Sequence, residues 1–244
     1  MKQPGNRLAQ RALDPALLEI EGNPVAVTFR RNSRARRLII RPSRDGKSFT
    51  ITLPPRASRK EAIDFAQRSR RWIGAKLSAL PAPVPFAPGA RILFRGAEHA
   101  IVHCPGARGS VWVETETSSL MVAGDLRHLP RRLRDWLKQQ ARRELTAASA
   151  SYARAMEVKF HRITVRDQSS RWGSCSSAGS LSYSWRLILA PPFVLDYVAA
   201  HEVAHLKHMN HGTRYWRLVL THCRHAKEAQ HWLRRRGGEL HRYG

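Results

Sequence analysis

The stretch His201-Glu-Val-Ala-His-Leu-Lys-His-Met-Asn-His211 constrains this chain more than any other. It contains H-E-x-x-H, and on an α-helix residues four apart share a face. His201 and His205 then offer two imidazole nitrogens to one metal ion, with Glu202 beside them. Zinc suits such donors: it accepts imidazole, keeps an open position and lowers the pKa of bound water to about 7. The sequence therefore predicts one Zn2+ held by His201 and His205, with Glu202 as the catalytic carboxylate. For the third ligand the spacing offers His208 and His211. On an unbroken helix His201 and His208 would lie roughly 10 Å apart along the axis. Zinc–nitrogen bonds are about 2.0–2.1 Å, so a straight row cannot surround one ion. The third imidazole must arrive through a turn, and Asn210 and Gly212 both tolerate the backbone that ends helices. His211 is six residues after His205, the spacing of the third metzincin histidine, although that motif has Gly where this chain has His208. We assign His211 as the ligand and His208 to the periphery, with Glu228 and Glu239 as outside candidates for a carboxylate ligand.

Charge is the second constraint. The 244 residues carry 43 Lys and Arg against 18 Asp and Glu, a formal net charge of +25. Such a balance attracts nucleic acid, nucleotides or anionic lipid. An arginine-favouring codon bias produces the same balance with no partner. Three cysteines, Cys104, Cys175 and Cys223, do not make a disulfide framework and fit a reducing cytoplasm. No apolar run approaches the roughly 20 residues of a membrane span, and the N-terminus lacks the apolar region of a secretory signal. A cytoplasmic chain with no membrane association is expected; its oligomeric state is not legible.

Along the chain, residues 1–22 read as a flexible tail with Pro4, Gly5 and Pro15. Residues 23–125 read as a β-rich N-terminal region. Runs at 25–29, 37–41 and 48–53 predict three antiparallel strands, with a hairpin turn at Asp45-Gly46. Arg30, Arg31, Arg34, Arg36 and Arg37 crowd this region, either as an anion-binding face or as a solvated edge guarded by charge. Ser58 and Glu61 form a capping box that opens a helix over about 58–80. Prolines from Pro81 to Pro88 predict a semi-rigid connector, followed by short strands to about residue 122. Residues 126–244 hold a long helix over about 129–157, strands near 161–166 and 179–185, and the H-E-x-x-H helix from Pro191 to Gly212. No internal repeat is evident.

An ordered series of motifs now becomes apparent. Arg171-Trp-Gly-Ser-Cys175, Trp185-Arg-Leu-Ile-Leu-Ala-Pro191, Asp196-Tyr-Val, the histidine stretch and Tyr215-Trp216 together resemble the YgjP-like metallopeptidase family, which is related to the SprT-like and WLM zinc peptidases of the zincin class. The dense part of the resemblance spans 171–216, and the first 20 residues lie outside it. It implies an α+β chain whose β-rich N-terminal region precedes a zincin-like, minigluzincin-type catalytic core. It also implies a zinc site on His201, His205 and His211 with Glu202 as catalytic carboxylate. A peptide or protein substrate is the expectation. A metal-dependent nucleotide phosphohydrolase, and a nucleic-acid-associated zinc protein acting on DNA-bound proteins, are the alternatives that share the site. A binding module using zinc only for folding would have no use for Glu202. Arg171, Trp172 and Tyr215 are possible cleft-lining residues, with packing roles open for Trp172 and Tyr215. The strand before the metal helix, 181–185, is either a sheet edge able to pair with a peptide or a core strand. Cys175 is either a regulatory thiol or a small filler.

Overall fold

The computed structural model of the protein describes residues 12–20, 22–43, 48–78, 82–168 and 170–244. The chain forms two compact units, Met1–Pro81 and Ala82–Gly244, each with its own apolar core. The division thus falls at 81/82 and not near 125. The four strands expected to close the N-terminal region pack instead with the part of the chain that carries the H-E-x-x-H motif. Their apolar residues Ile92, Ile101, Leu120 and Val122 share one core with Leu187, Val194 and Val203.

The first unit is a four-stranded sheet backed by two helices. Strands β1 (Ala12–Ile20), β2 (Asn23–Arg31), β3 (Ile39–Pro42) and β4 (Ser48–Leu53) lie in the order β1-β2-β4-β3. Two expectations need correction. Residues 12–20 are a strand and no tail: β1 pairs antiparallel with β2, with a register shift between Leu13 and Ala16 where Pro15 cannot donate to the ladder. The sheet is also mixed, since β2 and β4 are parallel while β3 pairs antiparallel with β4. Period-two alternation fixes which face is buried and is silent on strand direction. The alternate residues Val25, Val27, Phe29, Phe49, Ile51 and Leu53 are buried against Ala62, Ala66 and Ile73. Those three belong to α1 (Arg59–Arg68) and α2 (Arg70–Ser78), separated at Ser69 where one helix was expected. The capping box is present: the Glu61 amide donates to Ser58 Oγ at 3.1 Å, and the Ser58 amide donates to Glu61 Oε2 at 2.6 Å. The Asp45-Gly46 hairpin lies outside the described residues.

The second unit opens with strands β5 (Arg91–Phe94), β6 (Ala97–Cys104), β7 (Val111–Glu114) and β8 (Ser119–Ala123), in the order β5-β6-β8-β7. Its outer pairs are antiparallel and its central pair is parallel. This is the order and direction of the first sheet, and a helix follows in both cases. A repeated topology is therefore present where the sequence shows no repeat. Residues 82–88 are part of this unit and no free connector: Phe86 is buried, and Val84 bridges Tyr243.

Helix α3 (Leu129–Ala155) buries Leu133, Leu137, Ala141 and Leu145 at four-residue spacing. Against it lie a three-stranded sheet, β9 (Arg162–Arg166), β10 (Gly173–Cys175) and β11 (Ser180–Ser184), and the helix α4 (Pro192–Ala204). The sheet order is β10-β11-β9. Helices α5 (Thr213–His222) and α6 (Ala226–Arg236) complete the unit. The β5–β6 turn fixes the approach to α4. Arg95 and Gly96 both have positive φ, and their amides donate to the carbonyls of Ile188 and Leu189 at 2.8 and 3.1 Å. A Cβ on Gly96 would lie 2.9 Å from Pro191, so only glycine permits this approach. Arg186 ties down the C-terminal segment, donating to Asp167 at 3.1 Å and to the Leu240 and Tyr243 carbonyls. Among the described residues, no helix is long and apolar enough to cross a membrane.

Candidate metal centre

Helix α4 is buried on nearly every side, which holds its last turn in a fixed place. Regular α-helix ends at Ala204, eight residues before the expected Gly212. Beyond it the amides of Leu206 and Lys207 donate to carbonyls three residues back, at 3.0 and 3.1 Å. This tighter winding and the turn that follows bring His211 back over the helix end. His201, His205 and His211 each offer a ring nitrogen, and the three nitrogens lie within 4.8 Å of one another. His201 Nε2 and His211 Nε2 are 3.2 Å apart. Two ligands at about 2.0–2.1 Å from one tetrahedral ion would be separated by roughly 3.3 Å, so the donor set fits zinc.

The other ring nitrogens of the helical pair are occupied. His201 Nδ1 lies 3.2 Å from the Tyr197 hydroxyl, and His205 Nδ1 lies 3.1 Å from the His208 carbonyl. Bonds of this kind fix tautomer and ring orientation, leaving Nε2 to face a metal. Burial, followed by the neighbouring His205 and His211, pushes the His201 imidazole down to about 3. Burial also lowers His205, with His211 adding to the effect. Neutral rings are the form in which imidazole binds metal. Aromatic packing completes the support. Tyr215 stacks on His205 with ring centres 4.6 Å apart, and its hydroxyl donates to the His201 carbonyl at 3.0 Å. Trp216 stacks on His211 at 5.8 Å.

Glu202 is buried on the side of α4 that faces β10. A Cβ on Gly173 would lie 2.4 Å from Glu202 Oε1, so the absence of a side chain lets the strand pass the carboxylate. Burial pushes the Glu202 carboxyl up to about 8, against the pull of Arg171 in the opposite direction. A buried carboxylate of raised proton affinity is suited to accept a proton from water.

The remaining expected residues separate. His208 contributes its backbone carbonyl, and among the described residues neither Glu228 nor Glu239 joins the triad; each pairs with a base nearby, His225 and Arg236 respectively. Arg171 is exposed and lines a groove beside β10. Trp172 stacks on His241 at 5.1 Å, a packing role. Cys175 is half-buried beside the groove, and burial, followed by the nearby Glu202, pushes its thiol up to about 11. The arginines of the first unit are not gathered on one face. Arg30 and Arg31 are consecutive in β2 and so point to opposite sides. Arg31 Nη1 donates to the Pro54 carbonyl at 3.1 Å and also to that of Pro55. Arg34, Arg36 and Arg37 are exposed in the segment between β2 and β3. The β11 strand is no edge: β10 and β9 occupy both of its sides, and β10 is the edge nearest the metal site. Sequence reasoning missed Tyr197 and Gly173 as site residues. Tyr197 lies four residues before His201, a helical contact that the spacing already contains.

A helix carrying H-E-x-x-H, a third histidine returned by a turn and a buried carboxylate beside a sheet edge are the parts that a hydrolase of metallopeptidase type requires. Sequence comparison places it within that class: residues 36–236 match the YgjP-like metallopeptidase domain, and the chain belongs to this family. No curated protein and no solved structure shows a significant match.

Proposed function

We propose that this chain is a zinc-dependent metallopeptidase. The observation that carries the reading is the convergence of three histidine nitrogens at ligand spacing beside a buried glutamate and a strand at the edge of its sheet. His201, His205 and His211 hold the ion. When bound, zinc supplies Lewis acidity that polarises the scissile carbonyl and makes water a nucleophile near neutral pH. The chain's own residues do the rest. Glu202 takes the proton of the attacking water on a carboxylate oxygen and passes it to the nitrogen of the departing amine. Tyr197 and the His208 carbonyl hold the rings in place. The free edge of β10 pairs with the substrate backbone as an added strand, which brings the peptide bond past Glu202. Gly173 is what allows β10 to come so close.

The Glu202→Gln variant tests the reading. It keeps the shape of the side chain and removes the base. Zinc content should be unchanged, and hydrolysis of an unstructured protein such as casein should fall by about 10²–10⁴. Full activity in that variant would sink the mechanism. Turnover of nucleoside triphosphates with no peptide cleavage by the wild-type protein would replace the substrate class.

A further inference from the structure

The outer face of the three-stranded sheet carries a feature that zinc chemistry does not require. Strands β9 and β11 are parallel and in register, Ser180 against Arg162 and Ser182 against Thr164. Alternate residues face opposite sides. Ile163, Val165, Leu181 and Tyr183 turn inward to the core. Arg162, Thr164, Arg166, Ser180 and Ser182 turn outward and, with Arg171, line a groove of about 620 Å³. Ser174 and Cys175 of β10 belong to the same groove. Because β10 also passes against Glu202, the groove and the metal centre share a strand.

The groove is built for anions. Arg162, Arg166 and Arg171 are exposed, and among the described residues none of the three is held in a salt bridge. The acid on its wall, Asp167, is engaged by Arg186 at 3.1 Å. The Ser180 and Ser182 hydroxyls beside the guanidinium groups can donate to carboxylate or phosphate oxygens. The Gln168 side chain donates to Ser182 Oγ at 2.7 Å and so fixes that hydroxyl; its own Oε1 is buried without a partner.

The lining favours a polypeptide, and the spacing of its arginines is compatible with one. Residues four apart on a strand are roughly 13 Å apart. An extended peptide repeats side chains on one face every second residue, so its residues i and i+4 span the same roughly 13 Å. Arg162 and Arg166 match that repeat. Single-stranded nucleic acid is held without sequence preference by aromatic rings on which the bases stack, and no aromatic side chain is among the described residues lining the groove.

We propose that this groove binds an acidic stretch of the polypeptide substrate, with Asp or Glu at alternate positions, on a part of the substrate outside the segment that pairs with β10. The proposal rests on the peptidase reading for the word substrate and on the groove alone for the binding. Arg162 and Arg166 set the preference, and the hydroxyls of Ser180 and Ser182 donate to the second carboxylate oxygens; the Thr164 hydroxyl already donates to the Leu181 carbonyl at 3.3 Å.

The test uses the full chain loaded with zinc, in the Glu202→Gln form so that peptides stay intact. Anisotropy is followed with two labelled ten-residue peptides, one with Glu at alternate positions and one with Gln in their place. The acidic peptide should bind at least about tenfold tighter at low salt, and the difference should shrink as salt rises. Arg162→Glu with Arg166→Glu should abolish it. The pair Arg162→Gln and Arg166→Gln should reduce it, with melting temperature checked in both. Equal binding of the two peptides, or an undiminished preference in both double variants, overturns the proposal. So does an oligothymidylate that binds more tightly than the acidic peptide and is released by the same variants, which would make the groove a nucleic-acid site. Cleavage by the wild-type protein separates the two readings. An acidic peptide bound in the groove and left uncut overturns the peptidase reading and keeps the groove; cleavage without acidic preference does the reverse.

Discussion

His201 is held from three sides, and each contact has a separate consequence. Its Nε2 faces His211, its Nδ1 meets the Tyr197 hydroxyl, and its carbonyl accepts from Tyr215. Tyr197→Phe removes the orienting hydroxyl and leaves the ring. It should lower zinc affinity by about 10–100-fold with little change in fold, read by competition with a chromophoric chelator. An unchanged affinity would mean that packing alone orients His201. The two later histidines should behave differently. His211→Ala should cut zinc affinity severely, because it removes a ring nitrogen from the triad. His208→Ala keeps the backbone carbonyl that holds His205 and should retain most of the affinity. Release of zinc by the His208 variant alone would reverse the assignment.

At the scale of elements, strand β10 and helix α4 touch where Gly173 passes Glu202. Gly173→Ala places a methyl 2.4–2.7 Å from the carboxylate and its stem, so one of them must move. Metal content should stay constant while turnover falls by about 10²-fold, the cost of misplacing a reacting group by an ångström. Loss of zinc in step with activity would place the damage in the helix instead. In the first unit, the capping box gives helix α1 a pH dependence of known sign. The Ser58 amide, followed by the Ser58 hydroxyl, holds the Glu61 carboxyl below its usual range. A lowered folded-state pKa means that the stabilisation is complete above the ordinary glutamate value and is lost as pH falls through the lowered one. Glu61→Ala should therefore destabilise the first unit at pH 7 and cease to matter in acid, as followed by urea unfolding at several pH values. A difference that persists at pH 2 would assign it to helix propensity.

For the whole molecule, the three proposed ligands belong to one of two units with separate cores. A ligand that binds only the folded form stabilises by about 2.7 kcal/mol at a hundred times its dissociation constant. Chelation should thus lower the melting of the Ala82–Gly244 unit and leave that of the Met1–Pro81 unit in place. Calorimetry with and without zinc checks this, and a parallel shift of all unfolding would show that the units melt as one. Charge acts at this scale as well. The net +25 attracts polyanions without specifying one, and the tethering of Arg31 to carbonyls shows that some arginines serve the fold.

What the sequence by itself determined is local. The H-E-x-x-H spacing put His201 and His205 on one face, bringing His211 to the same place called for a turn, and Ser58 with Glu61 marked a helix start. Helical periodicity predicted α3 to within a few residues of its observed length. Each of these depends on residues within a turn or two of one another, so the chain states it directly. Tertiary structure decided the rest. It made Ala12–Ile20 a strand, set β2 parallel to β4, repeated one sheet order in both units, and moved the division of the chain to 81/82. It also placed β11 inside its sheet and gave the edge beside Glu202 to the three residues of β10. Strand order and direction come from pairings between distant segments. Alternation along a strand records which face is buried and carries no information about the neighbour, so those choices appear only when the whole chain is folded.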